Sequence, residues 1–284
     1  MELLDFVLLL VLTGVAAGVV GSLTGLGGAI VALPILVLAF AVPFPEAAGA
    51  GLLTVLATSS ATGTAYVHEH LSDLRIGMFL EVATVPGALI GATVTVFLVH
   101  ARLDDALLIA LGLLLLALVP GAIARGGVAF TTPAEPDAAA RSLGLRGAYY
   151  DERRQEEVRY TAGRTRPALA VAFLAGVVAG MFGIGGGVFK VLALQRFLGL
   201  PMKVATATSN FMIGVTGAAG ASVLLLAGFI DPVIGAPIAL GTAVGAVGGA
   251  RVLPRLRNRT VAWLFVPVIA VLAVEVILRG VGIG

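Results

Sequence analysis

Apolar runs set the first constraint on this chain: Leu3 to Leu23, Ala106 to Ile123 and Val261 to Leu278 are long enough, or nearly so, to cross ~30 Å of hydrocarbon as helices. A segment in lipid must satisfy its own backbone N–H and C=O groups, which restricts it to a helix or a closed barrel. Composition agrees with a bilayer solvent. Charged residues make up 12% of the chain, about half of the ~25% that covers a soluble domain. The first run is not expected to be a signal peptide, because Glu2 and Asp5 flank it in place of basic residues and further apolar segments follow at once.

The chain is also internally duplicated. Sliding it against itself by 158 residues aligns 17–92 with 175–250 without a gap, and 20 of those 76 pairs are identical. The matches fall at informative places: AAGVVGSLTGLGG on LAGVVAGMFGIGG, Pro43 on Pro201, Asp73 on Asp231, and GALIGA (87–92) on GAVGGA (245–250). Each half divides into about five apolar segments: 3–23, 28–41, 47–67, 76–99 and 106–123, then 167–182, 186–199, 204–228, 232–250 and 260–278. The second segment of each half is too short to span the bilayer as a helix. It is expected to be a partial helix continued by extended backbone at the preceding glycines.

Between the halves, residues 125–166 hold eight arginines and six acids. This hydrophilic linker divides a first membrane repeat, 1–124, from a second, 167–284. Its TTPAEPDAAA start is expected to be loop, and DERRQEEVRY (151–160) to form a short surface helix. With the linker cytoplasmic and five crossings per half, 15 of the 18 basic residues lie inside, as the positive-inside rule prefers. Five crossings, or three if the first two segments form a re-entrant hairpin, is an odd number and makes the repeats inverted. The expected fold is therefore an all-α membrane protein of two inverted repeats with glycine-broken helices.

The glycine runs Gly25, Gly27, Gly28 and Gly183, Gly185, Gly186, Gly187 are the leading functional candidates. A break at membrane depth frees backbone groups, and the N–H groups at the start of the next helix, with its dipole, form an anion site without side chains. Two such breaks from inverted repeats converge near the pseudo-two-fold axis; the alternative role of these glycines is close helix packing. Lys190 follows the second run and has Ala32 as its repeat partner. A lysine in an apolar segment needs water, a partner or a ligand, so Lys190 is either an anion ligand or one member of a structural ion pair. Thr206, Ser209 and Asn210 share one helical face, with Thr208 beside them. Their hydroxyls and amide suit an oxyanion, or bond their own helix. Glu81, whose repeat partner is Ala239, is a protonatable coupling group, the counter-ion of Lys190, or an interfacial acid. Asp73 and Asp231 stand where helix caps belong, and Glu275 is expected to be structural.

Some chemistries are excluded. Without cysteine there is no thiolate nucleophile, disulfide or iron–sulfur ligation. His68 and His70 point in different directions on a helix, so no metal site or other cofactor is expected. The net charge of +2 rests on basic residues between apolar segments and marks orientation in the membrane, not nucleic-acid binding. No nucleophile and base pair stands inside the apolar segments, so enzymatic activity is not expected. GALIGA and GAVGGA offer small-residue faces that would serve a homodimer or the core equally.

The motifs GLGGAIVALPIL, ATSSATGTAYV, FLAGVVAGMFGIGGGVFKV and LPMKVATATSNFMIGVTGA resemble those of the TauE/SafE sulfite-exporter group of the toluene sulfonate uptake permease family. Ala29 departs from it where a third glycine is common, and Leu192 where proline is common. The resemblance implies a secondary transporter in the cytoplasmic membrane that exports small sulfur-containing anions such as sulfite or organosulfonates. Its rivals are a passive anion channel and a non-transporting scaffold.

Overall fold

The computed structural model describes residues 3–68, 71–125, 135–151, 155–252 and 270–282. His70, the arginines at 255, 257 and 259, and the 260–269 part of the last apolar segment lie outside the described residues. The first half comprises α1 (Leu3–Thr24), α2 (Ala29–Leu38), α3 (Phe44–His68), α4 (Leu74–His100) and α5 (Asp104–Arg125). The second comprises α7 (Thr165–Phe182), α8 (Gly187–Leu192) running into a π-helical turn (Ala193–Phe197), α9 (Met202–Leu226), α10 (Pro232–Val252) and a helix over 270–280, here α11. Between them stand α6 (Ala138–Ser142), β1 (Arg146–Asp151) and β2 (Glu156–Thr161). Among the described residues, α1, α4, α7, α9 and α10 contain windows long and apolar enough to cross a membrane, and the protein is an all-α membrane protein but for one hairpin.

Glycine decides which helices touch. A Cβ on Gly18 would lie 2.2 Å from the Thr242 carbonyl oxygen, and one on Gly176 would lie 2.1 Å from that of Thr84. These two contacts are related by the 158-residue shift. Gly241 and Gly245 meet Val11 and Val15 in the same way, as Gly87 and Gly91 meet Phe173 and Val177. Thus α1 packs lengthwise and parallel on α10, and α4 on α7. Gly87 and Gly91 of GALIGA, and Gly245 and Gly249 of GAVGGA, are thus spent on contacts inside the chain.

The remaining registers fix the directions of α1, α3, α4, α7, α9 and α10. α3 crosses α9 antiparallel, with Leu52 on Gly220, Val55 on Gly217 and Ser59 on Gly214. α4 runs parallel to α9, with Asp73 at Thr208 and Glu81 at Thr216. α3 starts alongside the start of α10, Gly49 at Phe229 and Leu53 at Gly235. Consequently α1, α3 and α10 run one way and α4, α7 and α9 the other, each opposed to its repeat partner. Two packed bodies result, one of α1, α2, α3 and α10, the other of α4, α7, α8 and α9, meeting where α3 crosses α9. The halves have exchanged their fourth helices.

Two expectations are corrected. The backbone at the glycine breaks is not extended: Gly25 and Gly183 both have φ 71°, and Gly27 and Gly185 have φ 81° and 74°. These left-handed residues turn the chain back on itself, so that Gly28 packs on Ala17 and, at the far end of α2, Phe40 meets Phe6 at 5.6 Å between ring centroids. DERRQEEVRY is not a helix either. Of its described residues, Asp151 ends β1 and 156–160 make most of β2, antiparallel with Tyr149 opposite Val158 and Gly147 opposite Tyr160. Helix-forming Glu, Arg and Gln are overridden because Tyr149 and Tyr160 bury themselves in a cluster with Ile76, Leu80, Leu198 and Val204, a surface offered by α4, α9 and the end of the π-helical turn. The linker start also departs from pure loop, since Ala138–Ser142 is helical with Asp137 as its cap.

Candidate functional site

The two glycine runs touch. A Cβ on Gly187 would sit 2.6 Å from the Gly25 carbonyl oxygen, and Gly27 and Gly185 both pack on Val55 and Ile213, which are themselves repeat partners. Each break lies against the start of the opposite half's third helix, Gly25 on Thr206 and Gly183 on Ala48. All seven candidate glycines are buried. The departure at Ala29 is accommodated: its methyl joins Val55 and Ile213 in a small apolar cluster, whereas its partner Gly187 has no room for one.

The polar residues of α9 divide between two places. The Ser209 hydroxyl donates to the Gly25 carbonyl at 2.9 Å and lies 3.4 Å from that of Gly187, bridging both breaks. Asn210, fully buried, donates from Nδ2 to the Ser22 carbonyl at 3.4 Å, and its Oδ1 has no hydrogen-bond partner among the described residues. Thr206 is buried against Gly25. Thr208 faces away, accepting from the Asp73 backbone N–H at 3.0 Å. From the first half, the Gly28 N–H reaches Thr58 Oγ1 at 3.4 Å, a contact from a hydroxyl outside the sequence candidates.

About one helical turn further along α9 lies a charged cluster. Lys190 is completely buried, and its ammonium donates to Glu81 Oε1 at 3.2 Å, to the Met212 carbonyl at 2.9 Å and to Thr216 Oγ1. Thr216 lies 3.0 Å and 2.9 Å from the two Glu81 oxygens, and Thr84 donates to Oε2 at 2.6 Å. An ammonium has three protons to give, and here all three are used. Glu81 is thus the counter-ion of Lys190. Thr216 and Thr84 escaped sequence reading, although they are two of the few polar identities between the halves, aligned with Thr58 and Thr242. In the other body the equivalent positions hold Ala32 and Ala239, and the two equivalent threonines, Thr58 and Thr242, bond their own helices.

The ends of this body are tied by the linker. Asp73 caps α4 through Oδ1 to the Ile76 N–H at 3.0 Å, and its Oδ2 accepts from the Tyr160 hydroxyl at 3.0 Å. Tyr160 crosses directly over Gly147, where a Cβ would lie 2.4 Å from its oxygen. Burial, with the Asp73 carboxylate beside it, pushes the Tyr160 phenol well up from its ordinary value. Asp137 accepts from the Thr165 N–H and hydroxyl, both at 2.7 Å, at the start of α7. Desolvation opposes ionisation there, but the bonds from Thr165 and Ala140 hold the carboxyl below its ordinary value. In the second half, Asp231 accepts from the Val233 N–H at the start of α10; Glu275 is exposed.

At the far end of α2, a cavity of about 500 Å³ is lined by Val37, Phe44, Val99, Asp104 and Arg279. The Arg279 guanidinium donates to the Val37 carbonyl, closing the C-terminus of the helix that starts at the first break.

The sequence matches the sulfite exporter TauE/SafE family profile over residues 10–276. It is 29% identical over 285 residues to the probable membrane transporter protein YunE of Bacillus subtilis, covering 98% of this chain and 99% of that protein. It is 24% identical over 244 residues to the probable membrane transporter protein YdhB of the same organism, covering 86% and 89%. No solved structure gives a significant match. With the family profile spanning nearly the whole chain and helices apolar enough to cross a bilayer, this protein is a multi-pass membrane transporter and belongs to the sulfite exporter TauE/SafE family.

Proposed function

We propose that the protein is a secondary transporter of the cytoplasmic membrane that exports small sulfur-containing anions such as sulfite or organosulfonates. The observation that carries this reading is the meeting of two buried glycine breaks beside Ser209, Asn210 and a fully buried lysine. N–H groups at the breaks Gly25–Gly28 and Gly183–Gly187 bind the oxyanion, Thr206, Ser209 and Asn210 add hydrogen bonds, and Lys190 supplies charge. Thr208 acts from behind, by holding the start of α4. Ser209 and Lys190 spend their donors on protein groups, so an anion has to displace one of these acceptors.

Inverted repeats are supported by the opposed directions of α1 and α7, α3 and α9, and α4 and α10. Alternating access then moves the body of α1, α2, α3 and α10 against that of α4, α7, α8 and α9, not one sequence half against the other. Their shared surface is the α3–α9 crossing, where Gly214 and Gly217 let Ser59 and Val55 of α3 approach closely.

Rapid jumps of sulfite, thiosulfate, sulfoacetate and chloride onto proteoliposomes test this reading. The expected result is a saturable response to a sulfur oxyanion but not to chloride, with counterflow that separates a carrier from a passive channel. A folded protein that responds to none of them removes the anion assignment.

A further inference from the structure

The Lys190–Glu81 pair is an addition to the fold, not a requirement of it. Ala32 and Ala239 fill the equivalent two places in the other body, where α3 and α10, the repeat partners of α9 and α4, carry the equivalent threonines Thr58 and Thr242. Burying two charges is costly even when they are paired, so a pair present in one cleft and absent from its twin is there for something the fold does not need.

This inference rests on the anion reading above. Lys190 has no proton left to offer an anion while it bonds Glu81, Met212 and Thr216. Of those three partners only Glu81 is charged, and it is the one an anion can replace charge for charge. If the anion entered with Glu81 still ionised, the buried cluster would carry a net negative charge, which a low-dielectric site disfavours strongly. One proton on a Glu81 oxygen restores neutrality: Lys190 keeps its charge, the anion takes the ammonium, and the carboxylic acid keeps hydroxyl partners in Thr84 and Thr216.

We propose that Glu81 and the transported anion compete for the Lys190 ammonium, so that the anion is loaded only as Glu81 takes up a proton, and the two cross together. The balance is one proton per anion: gained by a Glu81 oxygen on the loading side and released on the other as the ion pair re-forms.

Among the described residues, the other charged groups on the surrounding elements stand at their ends. α4 carries Arg75, bonded to the Gly144 carbonyl, and His100; α7 carries Arg166; α9 begins with Lys203. Arg196 closes the π-helical turn, Asp104, Asp105 and Arg125 sit at the two ends of α5, and Glu46 lies in the first turn of α3. The hydrogen bonds described for the pair go to Met212, Thr216 and Thr84, all uncharged, which leaves Glu81 as the group that takes the proton at this depth.

The test uses proteoliposomes with a trapped pH dye and gradients of methanesulfonate, a monoanion at every pH used, run beside sulfite and sulfoacetate. Wild type is expected to move one proton per methanesulfonate, to give no net current with it, and to lose flux up to tenfold per pH unit on the alkaline side. Glu81→Gln is expected to lose both the proton movement and the pH dependence. The double variant Lys190→Ala/Glu81→Ala copies the Ala32/Ala239 cleft; it is expected to fold and to lose saturable transport. Anion flux without protons in wild type, unchanged proton movement in Glu81→Gln, or coupled transport by the double variant overturns the coupling and leaves anion transport standing. No saturable flux of any of the three anions in wild type overturns both.

Discussion

A lysine enclosed to the last atom is tolerable only with a complete set of acceptors, and Lys190 has one from each of Glu81, Met212 and Thr216. Removing a single partner of such a pair costs about 3–5 kcal/mol, while removing both costs far less. Thermal unfolding in detergent is therefore expected to show Lys190→Ala and Glu81→Ala each strongly destabilised and the double variant far less so than their sum, a coupling that a double-mutant cycle measures. Gly183→Ala is expected to cost about 1–3 kcal/mol through overpacking, because its Cβ would lie 2.3 Å from the Ala48 carbonyl oxygen on a backbone with φ 71°. Both glycine runs and Lys190 stand out in the sequence, since each breaks the rules of an apolar segment. Their partners do not. Glu81 lies 109 residues from Lys190, and sequence reading offered the pair as one role among several; Thr216 and Thr84 resemble any hydroxyls that bond their own helix.

The linker hairpin shows how tertiary contacts overrule local preference. Its Glu, Arg and Gln favour a helix, yet the alternation of Tyr149, Val158 and Tyr160 puts the apolar side chains on one face, and α4 with α9 offers a surface to bury them. That alternation was visible, but the docking surface was not, since it is assembled from segments far apart in the chain. Tyr160→Phe is expected to cost about 1.5 kcal/mol by taking a hydrogen bond from the Asp73 carboxylate. Loosening of the hairpin, read by amide hydrogen exchange over 146–161, checks it. Asp137→Ala is expected to cost roughly 0.5–2 kcal/mol as a lost cap. The lowered native value of Asp137 also gives a pH dependence. Its stabilising contribution is complete above the unfolded value near ~4 and fades as pH falls through the native one, so acid should release the start of α7 in wild type and change it less in Asp137→Ala.

The absence of cysteine gives a background-free frame for placing spin labels in pairs. Leu4 with Val233 reports within one body and Val82 with Leu174 within the other, while Leu12 with Leu174 spans the two; all five are exposed. Substrate is expected to change the spanning distance and leave the other two unaltered. Movement inside either pair would mean that the bodies are not the units of transport. The repeat announced that two like units exist, because identities at a fixed offset survive in one dimension. It could not announce that the fourth helices trade places, because GALIGA and GAVGGA fit either half equally well.

That exchange bears on how the chain is made. α1 leaves the ribosome first, yet its glycine-lined face waits for α10, which starts roughly 200 residues later, a delay of about 10–40 s at ordinary rates of synthesis. During it, Gly14 and Gly18 lack the helix they pack on. A first half expressed alone is a set of helices whose mates have not been born, and it should be degraded unless the second half is supplied, even as a separate polypeptide.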